Sequence, residues 1–372
     1  MLDVRVHVFP AARWAVIKDA RRRQHRRQRR ILAMAAVLLA AAVSGGLIAN
    51  SQDAGRPLGA GSAAVGAVQR VALGGRVTDA TTLHGDVWAL TCARQCGSVL
   101  AGHGGSGELT ELNAATARVI GRAAVNDPGV LTSGNGQIWL AHFATGTVTR
   151  VNPQTGQTTA TIQLELPTAI VPGDRRFLPS GISFAAGTVW VTTARGWTAA
   201  IDPRSAKVDR MIRSSSQATS VTTSGGLTWV ADELYGVDTF TAHSTHVTRH
   251  RITWAGQPLS IETVAQGAGL IWALGSRTDG HALTTGTVVT AIKPKAGHVA
   301  RQWPVPGGAT MIVNNRGAYV APLNGGQIEH LTATHGIQTI PAPEFRKLTT
   351  ATPHALWATT RDGNLVRIAL TR

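Results

Sequence analysis

Asp232, Glu233 and Tyr235 stand in the phrase ADELYG, and His142 stands in AHFATG. Two adjacent carboxylates with a phenol and an imidazole could hold a divalent cation or exchange a proton with a ligand, provided the fold brings the phrases together. A second group lies in GSRTDGHALTTG, where Arg277, Asp279 and His281 suit an anionic or sugar-like ligand, or simply solvate a polar loop. A third lies in ELPTAIVPGDRRFLPSG, where Asp174, Arg175, Arg176 and Phe177 combine charge with an aromatic. Such a set reads as an interface anchor or as a surface loop with its Phe tucked beneath. Both cysteines of the chain, Cys92 and Cys96, fall in TCARQC. In an oxidising compartment that spacing favours a local disulfide, which would shape the loop more than hold the fold. Zinc, with His84 or His103 as further ligands, is the alternative, but a second Cys pair and a paired-His motif are both missing. The thirteen histidines are scattered. No HExxH, G-x-S-x-G elbow, Walker loop or dinucleotide fingerprint occurs.

The elements that must position these groups announce themselves by repetition. DVWAL, QIWLA, TVWVT, LTWVA, LIWAL, GAYVA and ALWAT set an aromatic among β-formers, at Trp88, Trp139, Trp190, Trp229, Trp272, Tyr319 and Trp357. The aromatics are 51, 51, 39, 43, 47 and 38 residues apart, the period of a four-stranded propeller blade. After each comes a loop, a Gly and a second alternating strand, then a turn marked three times by Pro (Asn152–Pro153, Asp202–Pro203, Lys293–Pro294) and a more polar strand. The expected fold is all-β: a seven-bladed β-propeller of four-stranded antiparallel blades over 67–372, with the aromatic on the second strand. The last repeat lacks its fourth strand, and residues 67–75 form an orphan strand before the first, so pairing the two would close the ring.

In such blades the connections after the second and fourth strands share one face. From aromatic to following Gly the spacing is 19 and 14 residues in the first and fifth repeats against six or seven elsewhere. The 165–181 connection is also long, and it falls on the same face. Long loops on a rigid scaffold are where binding surfaces are built. This face is therefore the expected ligand or partner surface.

The net charge of +16 is uneven: residues 1–30 hold ten Lys/Arg and two Asp. Residues 31–49, ILAMAAVLLAAAVSGGLIA, carry no charge, and nineteen helical residues nearly match a ~30 Å hydrocarbon core. The cluster Arg21 to Arg30 in front of that stretch is a topology signal, which argues against a nucleic-acid arm. The chain is thus expected to comprise a cytoplasmic basic tail (1–30), one transmembrane helix in the lipid (31–49), a flexible linker (50–66) and an extracytoplasmic propeller. Secretion after signal cleavage is the alternative.

Phrases such as GQIWLAHFATGTVTRVNPQTGQTTATIQL and GTVWVTTARGWTAAIDPRSAKVDRMI resemble the repeats of streptogramin B lyase-like and YVTN/YncE-like seven-bladed propellers. The lyase branch implies a metal held by Glu and His near the central channel. Here the residue three beyond each aromatic is acidic only at Asp232, so the catalytic set does not transfer onto this chain. The expected role is non-catalytic, a sensor or scaffold binding a protein, peptide or cell-wall ligand. A metal-dependent lyase or hydrolase built on His142, Asp232 and Glu233 is the alternative, and only that reading calls for a divalent metal. A polyanion binder is the third.

Overall fold

The computed structural model describes residues 65–93, 105–166, 177–193, 195–214, 217–234, 236–241, 244–278, 284–295, 297–305, 309–323, 327–332, 336–342 and 345–370. They form seven antiparallel sheets. Blade 1 runs Arg76–Leu83, Asp86–Cys92, Ser106–Leu112 and Val119–Asn126; blade 2 runs Val130–Gly134, Gln137–Ala141, Thr147–Val151 and Thr158–Gln163. Blade 3 is Pro179–Ala185, Thr188–Thr193, Trp197–Asp202 and Lys207–Arg213; blade 4 is Ala218–Ser224, Leu227–Asp232, Gly236–Thr241 and Thr248–His250. Blade 5 comprises Gln257–Gly267, Leu270–Thr278, Thr284–Ile292 and Val299–Val305, with a short extra strand, Thr253–Trp254, beside its first. Blade 6 is Ala309–Asn314, Gly317–Pro322, Gln327–Thr332 and Gly336–Pro341. Blade 7 takes Lys347–Thr352, Ala355–Thr359 and Leu365–Leu370 from one end of the body and Val65–Val71 from the other. Strands within a blade are called a to d, in that order.

The ring closes as the sequence suggests, with a shifted register. Strand d of blade 7 is Val65–Val71, paired from Val65↔Leu370 to Val71↔Leu365. The expected strand at 67–75 therefore begins two residues earlier, inside the segment read as linker, and a turn takes over before Arg76. Each strand a contacts the strands a of both neighbours around the whole ring. Side chains stitch these inner strands together. Asp79 Oδ2 accepts from Leu131 N at 3.0 Å, Thr132 Oγ1 from Phe184 N at 3.3 Å, and Thr310 Oγ1 from Leu348 N at 3.0 Å. Ser180 Oγ donates to Ala218 O at 2.6 Å, and Ser220 Oγ to Val264 O at 3.1 Å. Burial pushes the Asp79 carboxyl up, partly offset by the charge of Lys347.

All seven repeat aromatics lie on strand b and are buried. Indole suits this position because three of the rings cap their own hairpins. Trp139, Trp229 and Trp272 donate Nε1–H to the carbonyls of Gly134, Ser224 and Gly267, five residues back, at 3.3, 3.3 and 3.1 Å. Tyr319, the non-indole member, stacks on His330 with ring centroids 4.3 Å apart. The a–b hairpins are two-residue turns such as Asn135–Gly136, both at positive φ (53° and 70°), the mirror-image geometry that matches strand twist. Outer strands are mostly solvated: Thr158–Gln163 alternates with only Ile162 buried.

Blade 5 departs from expectation. The stretch after Trp272 is less a loop than an extension of the blade: strands b and c run nine residues each and still pair at Thr278↔Thr284. The added strand Thr253–Trp254 turns back through Ala255–Gly256 onto strand a, and Trp254 packs against the layer holding Trp229 and Ile261. Among the described residues no helix is long and apolar enough to cross a membrane, and residues 31–49 lie outside them.

Candidate functional site

Topology sorts the connections onto two rims. The b–c and d–a connections share one, here the loop rim; the a–b and c–d connections share the other, the turn rim. The three connections expected to be long leave from the loop rim, between Cys92 and Ser106, Leu166 and Phe177, and Thr278 and Thr284. The last is only five residues, shorter than the six-residue connections 113–118 and 152–157 of the turn rim. Cys96, His103, Asp174, Arg175, Arg176, Asp279 and His281 fall within them, outside the described residues, as does Tyr235 of blade 4. What is described on this rim is partly apolar. Leu234 and Leu323, in the b–c connections of blades 4 and 6, are 53% and 50% exposed. They flank blade 5, whose half-buried Arg277 sits near the end of strand b.

Asp232 and Glu233 end strand b of blade 4, where the chain turns out of the sheet. Asp232 is fully buried, accepts from Leu234 N at 2.9 Å, and lies 3.9 Å from the Arg249 guanidinium. Arg249 also grips buried Asp238 through Nε and Nη2, at 3.0 and 3.4 Å. Burial raises the Asp238 carboxyl, against the opposing pull of Arg249. One cation on strand d thus neutralises the carboxylates of strands b and c.

Glu233 has a different environment. Gln217 Nε2 donates to it. Burial pushes its pKa up, and the neighbouring carboxylates of Glu262 and Asp232 push it further. Glu262, on strand a of blade 5, accepts from Ser276 Oγ at 2.5 Å. Neither Glu262 nor Gln217 was expected from the sequence. Each is a single polar residue in an alternating strand or turn, and the only available signal was that blades 4 and 5 must abut. The paired carboxyls of Glu233 and Glu262, bridged toward Gln217 and Ser276, offer hydrogen-bonding groups that suit a polar ligand.

His142 does not join these acids. It is 5% exposed, with Nδ1–H donating to Asp127 O at 2.7 Å and Nε2 accepting from Thr149 Oγ1 at 2.8 Å. Both ring nitrogens are committed beside blade 2, where Asp127 Oδ2 also accepts from Ala144 N and Thr145 N at 2.9 and 3.0 Å. The expected convergence of His142 with Asp232 and Glu233 is absent. Among the described residues no three His, Cys, Asp or Glu side chains form a group that could hold a metal ion.

Phe177 is likewise corrected as a contact residue. It is 0% exposed and packs with Trp139, Leu164, Leu166 and Val189. Its full burial stabilises the seam by roughly 1.5–3 kcal/mol, so it pins the end of the long connection instead of offering itself to a partner. Gly146 (φ +70°) lies under it, where an added Cβ would meet Phe177 O at 2.4 Å. Cys92 is buried at the end of strand b in blade 1, while its expected partner Cys96 lies outside the described residues. His84 is exposed at a positive-φ turn on the turn rim, strand b away from Cys92. Zinc ligation by that pair is therefore not supported.

Toward the turn rim, strands a of blades 3, 4 and 5 line an open pocket of about 480 Å3. Ser183, Ser220, Thr222 and Gln266 line it, with no charged side chain.

No protein-family model matches the chain, and no curated protein matches it by sequence. Solved structures match it by shape. A chain of the mitotic checkpoint complex superposes with a TM-score of 0.61 at 11% identity, over 88% of this chain and 99% of that one. Hydrazine synthase of Kuenenia stuttgartiensis gives 0.61 at 16% identity, over 85% and 99%. The Neurospora crassa Pan2 WD40 domain gives 0.59 at 12%, over 80% and 90%. At such identities the likeness speaks for the propeller fold alone, a scaffold shared by many functions.

Proposed function

We propose that this chain is a membrane-tethered propeller that binds a protein, peptide or cell-wall ligand on its loop rim without catalysing a reaction. The observation that carries the reading is the division of the body into two unlike rims. The two longest connections, 93–105 and 164–178, leave from one, together with exposed Leu234 and Leu323. The other is built of two-residue a–b hairpins and c–d connections of at most six residues. An apolar pair flanked by charge and mounted on a rigid sheet ring is the composition of a binding surface. In this reading residues 31–49 cross the bilayer once, with Arg21 to Arg30 holding the N-terminus in the cytoplasm. The propeller stands outside, where Cys92 and Cys96 form a local disulfide. The repeats resembling the YVTN and streptogramin B lyase-like group support the scaffold. The lyase chemistry of that group finds no support in His142, which is spent within the fold.

The test is in-cell crosslinking of the full chain. Leu234→Asp and Leu323→Asp should each lower the yield of crosslinked partner several-fold, while Gln154→Glu on the turn rim leaves it unchanged. Equal yields from all three would remove the loop rim as the binding surface.

A further inference from the structure

We infer that the turn rim is a second interaction surface and that its occupant is the headgroup layer of an anionic bilayer. Three independent features converge there. The first is charge. The turns and the strand ends beside them present exposed Arg118, Arg204, Lys207, Lys293, Lys295 and Arg316. Among the described residues, three side-chain carboxylates oppose these six cations. Asp202 is folded into its own turn, accepting from Arg204 N at 3.0 Å and Ser205 Oγ at 2.7 Å. Asp86 and Glu111 are half-buried. One step further in, exposed Arg301 and Asp209 offset each other.

The second feature is apolar. Strands d start at this rim, and their first residues include the exposed aliphatics Ile120, Val299 and Ile337, at 55%, 44% and 47%. Aliphatic side chains interspersed with Lys and Arg are what an interfacial surface needs to reach past phosphate into the upper acyl region.

The third is connectivity. Val65 opens strand d of blade 7, so the chain joins the body at this same rim. Fifteen residues, 50–64, separate Val65 from the apolar segment ending at 49, a reach of at most about 54 Å when fully extended. Here the inference rests on the tethered reading above: the rim at which the chain enters the body is also the cationic one. The a–b hairpins are two residues long and the c–d connections at most six, which keeps the rim low, as a planar partner requires. A second copy of the chain would bring like charge against like.

The lysines supply the probe. Of five in the chain, Lys207, Lys293 and Lys295 are on the turn rim, and Lys347 opens strand a of blade 7 at the loop rim. The full chain is placed in nanodiscs of phosphatidylglycerol or of phosphatidylcholine, and amine acetylation is followed residue by residue. The three rim lysines should acetylate at least threefold more slowly, relative to Lys347, in the anionic discs. High salt should erase the difference, and the double variant Lys293→Glu, Lys295→Glu should return Lys207 to its phosphatidylcholine rate. Equal ratios in both lipids overturn the inference while leaving the anchor standing. A chain that fails to enter discs overturns the anchor; the same ratios, read with anionic vesicles, then decide the rim. Equal protection by soluble polyphosphate would replace lipid by a free polyanion and also overturn the inference.

Discussion

Arg367 Nε donates to Ala114 O at 2.8 Å across 253 residues of sequence, joining the last blade to the first. Beside it Gln69 Nε2 donates to Thr116 O at 3.1 Å. Asn113 organises the accepting turn, its Oδ1 accepting from Ala115 N and Thr116 N at 3.2 and 2.9 Å. Arg150 makes the same kind of reach from blade 2, donating to Pro203 O at 2.9 Å. An arginine on strand c thus docks onto the c–d turn of the next blade.

Arg367→Ala should destabilise the body by about 1.5–3 kcal/mol, the range for a hydrogen bond from a charged donor. The urea midpoint should fall with little change in slope. An unchanged midpoint would mean that strand pairing alone seals the ring.

His142→Ala should cost about 1–3 kcal/mol, since it leaves the Asp127 carbonyl and the Thr149 hydroxyl without their partner in a buried setting. Zinc or manganese should not alter the melting temperature of the wild-type protein through this residue. A metal-dependent rise lost in His142→Ala would restore the metal reading.

Glu233 is held above the ordinary carboxylate value of 4.5 by burial and by the Glu262 and Asp232 charges. The folded state therefore binds more protons than the unfolded one between 4.5 and the raised value, so this residue makes stability fall as pH rises through that window. Glu233→Gln should be more stable than wild type at pH 7 and should lose its advantage near pH 4. Chemical denaturation at several pH values reads this directly, and parallel curves for the two proteins would refute it.

Trp272→Phe should cost about 1 kcal/mol more than Trp190→Phe. Both rings are buried, but Trp272 Nε1 donates to Gly267 O, whereas Trp190 Nε1 has no hydrogen-bond partner. Equal losses would show that packing, and not hairpin capping, sets the choice of indole.

Much of the fold was legible because its signals are local. The phrase around each aromatic spans five residues, and its burial on strand b follows from alternation alone. The pairing of Val65–Val71 with Leu365–Leu370 could be read from an unmatched strand at each end of the body, although its register could not. The strand at Thr253–Trp254 had no legible signal, since two residues before the Ala255–Gly256 turn are too few to show an alternating pattern. The site was less legible. His142 gave no sign that a carbonyl fifteen residues earlier would claim it. Phe177 in a charged loop looks alike in sequence whether it faces solvent or core. Glu262 gains meaning only from Glu233, 29 positions away, once neighbouring blades are in contact.

The shared construction of blade 7 also fixes a timetable. Val65–Val71 leaves the ribosome first among these strands, and its partner Leu365–Leu370 leaves last. At ordinary rates of synthesis, roughly 300 residues take on the order of 15–60 s to make. For that interval the nascent body has two bare sheet edges and no seal. Any chain released early keeps them, open to pairing with whatever strand comes near.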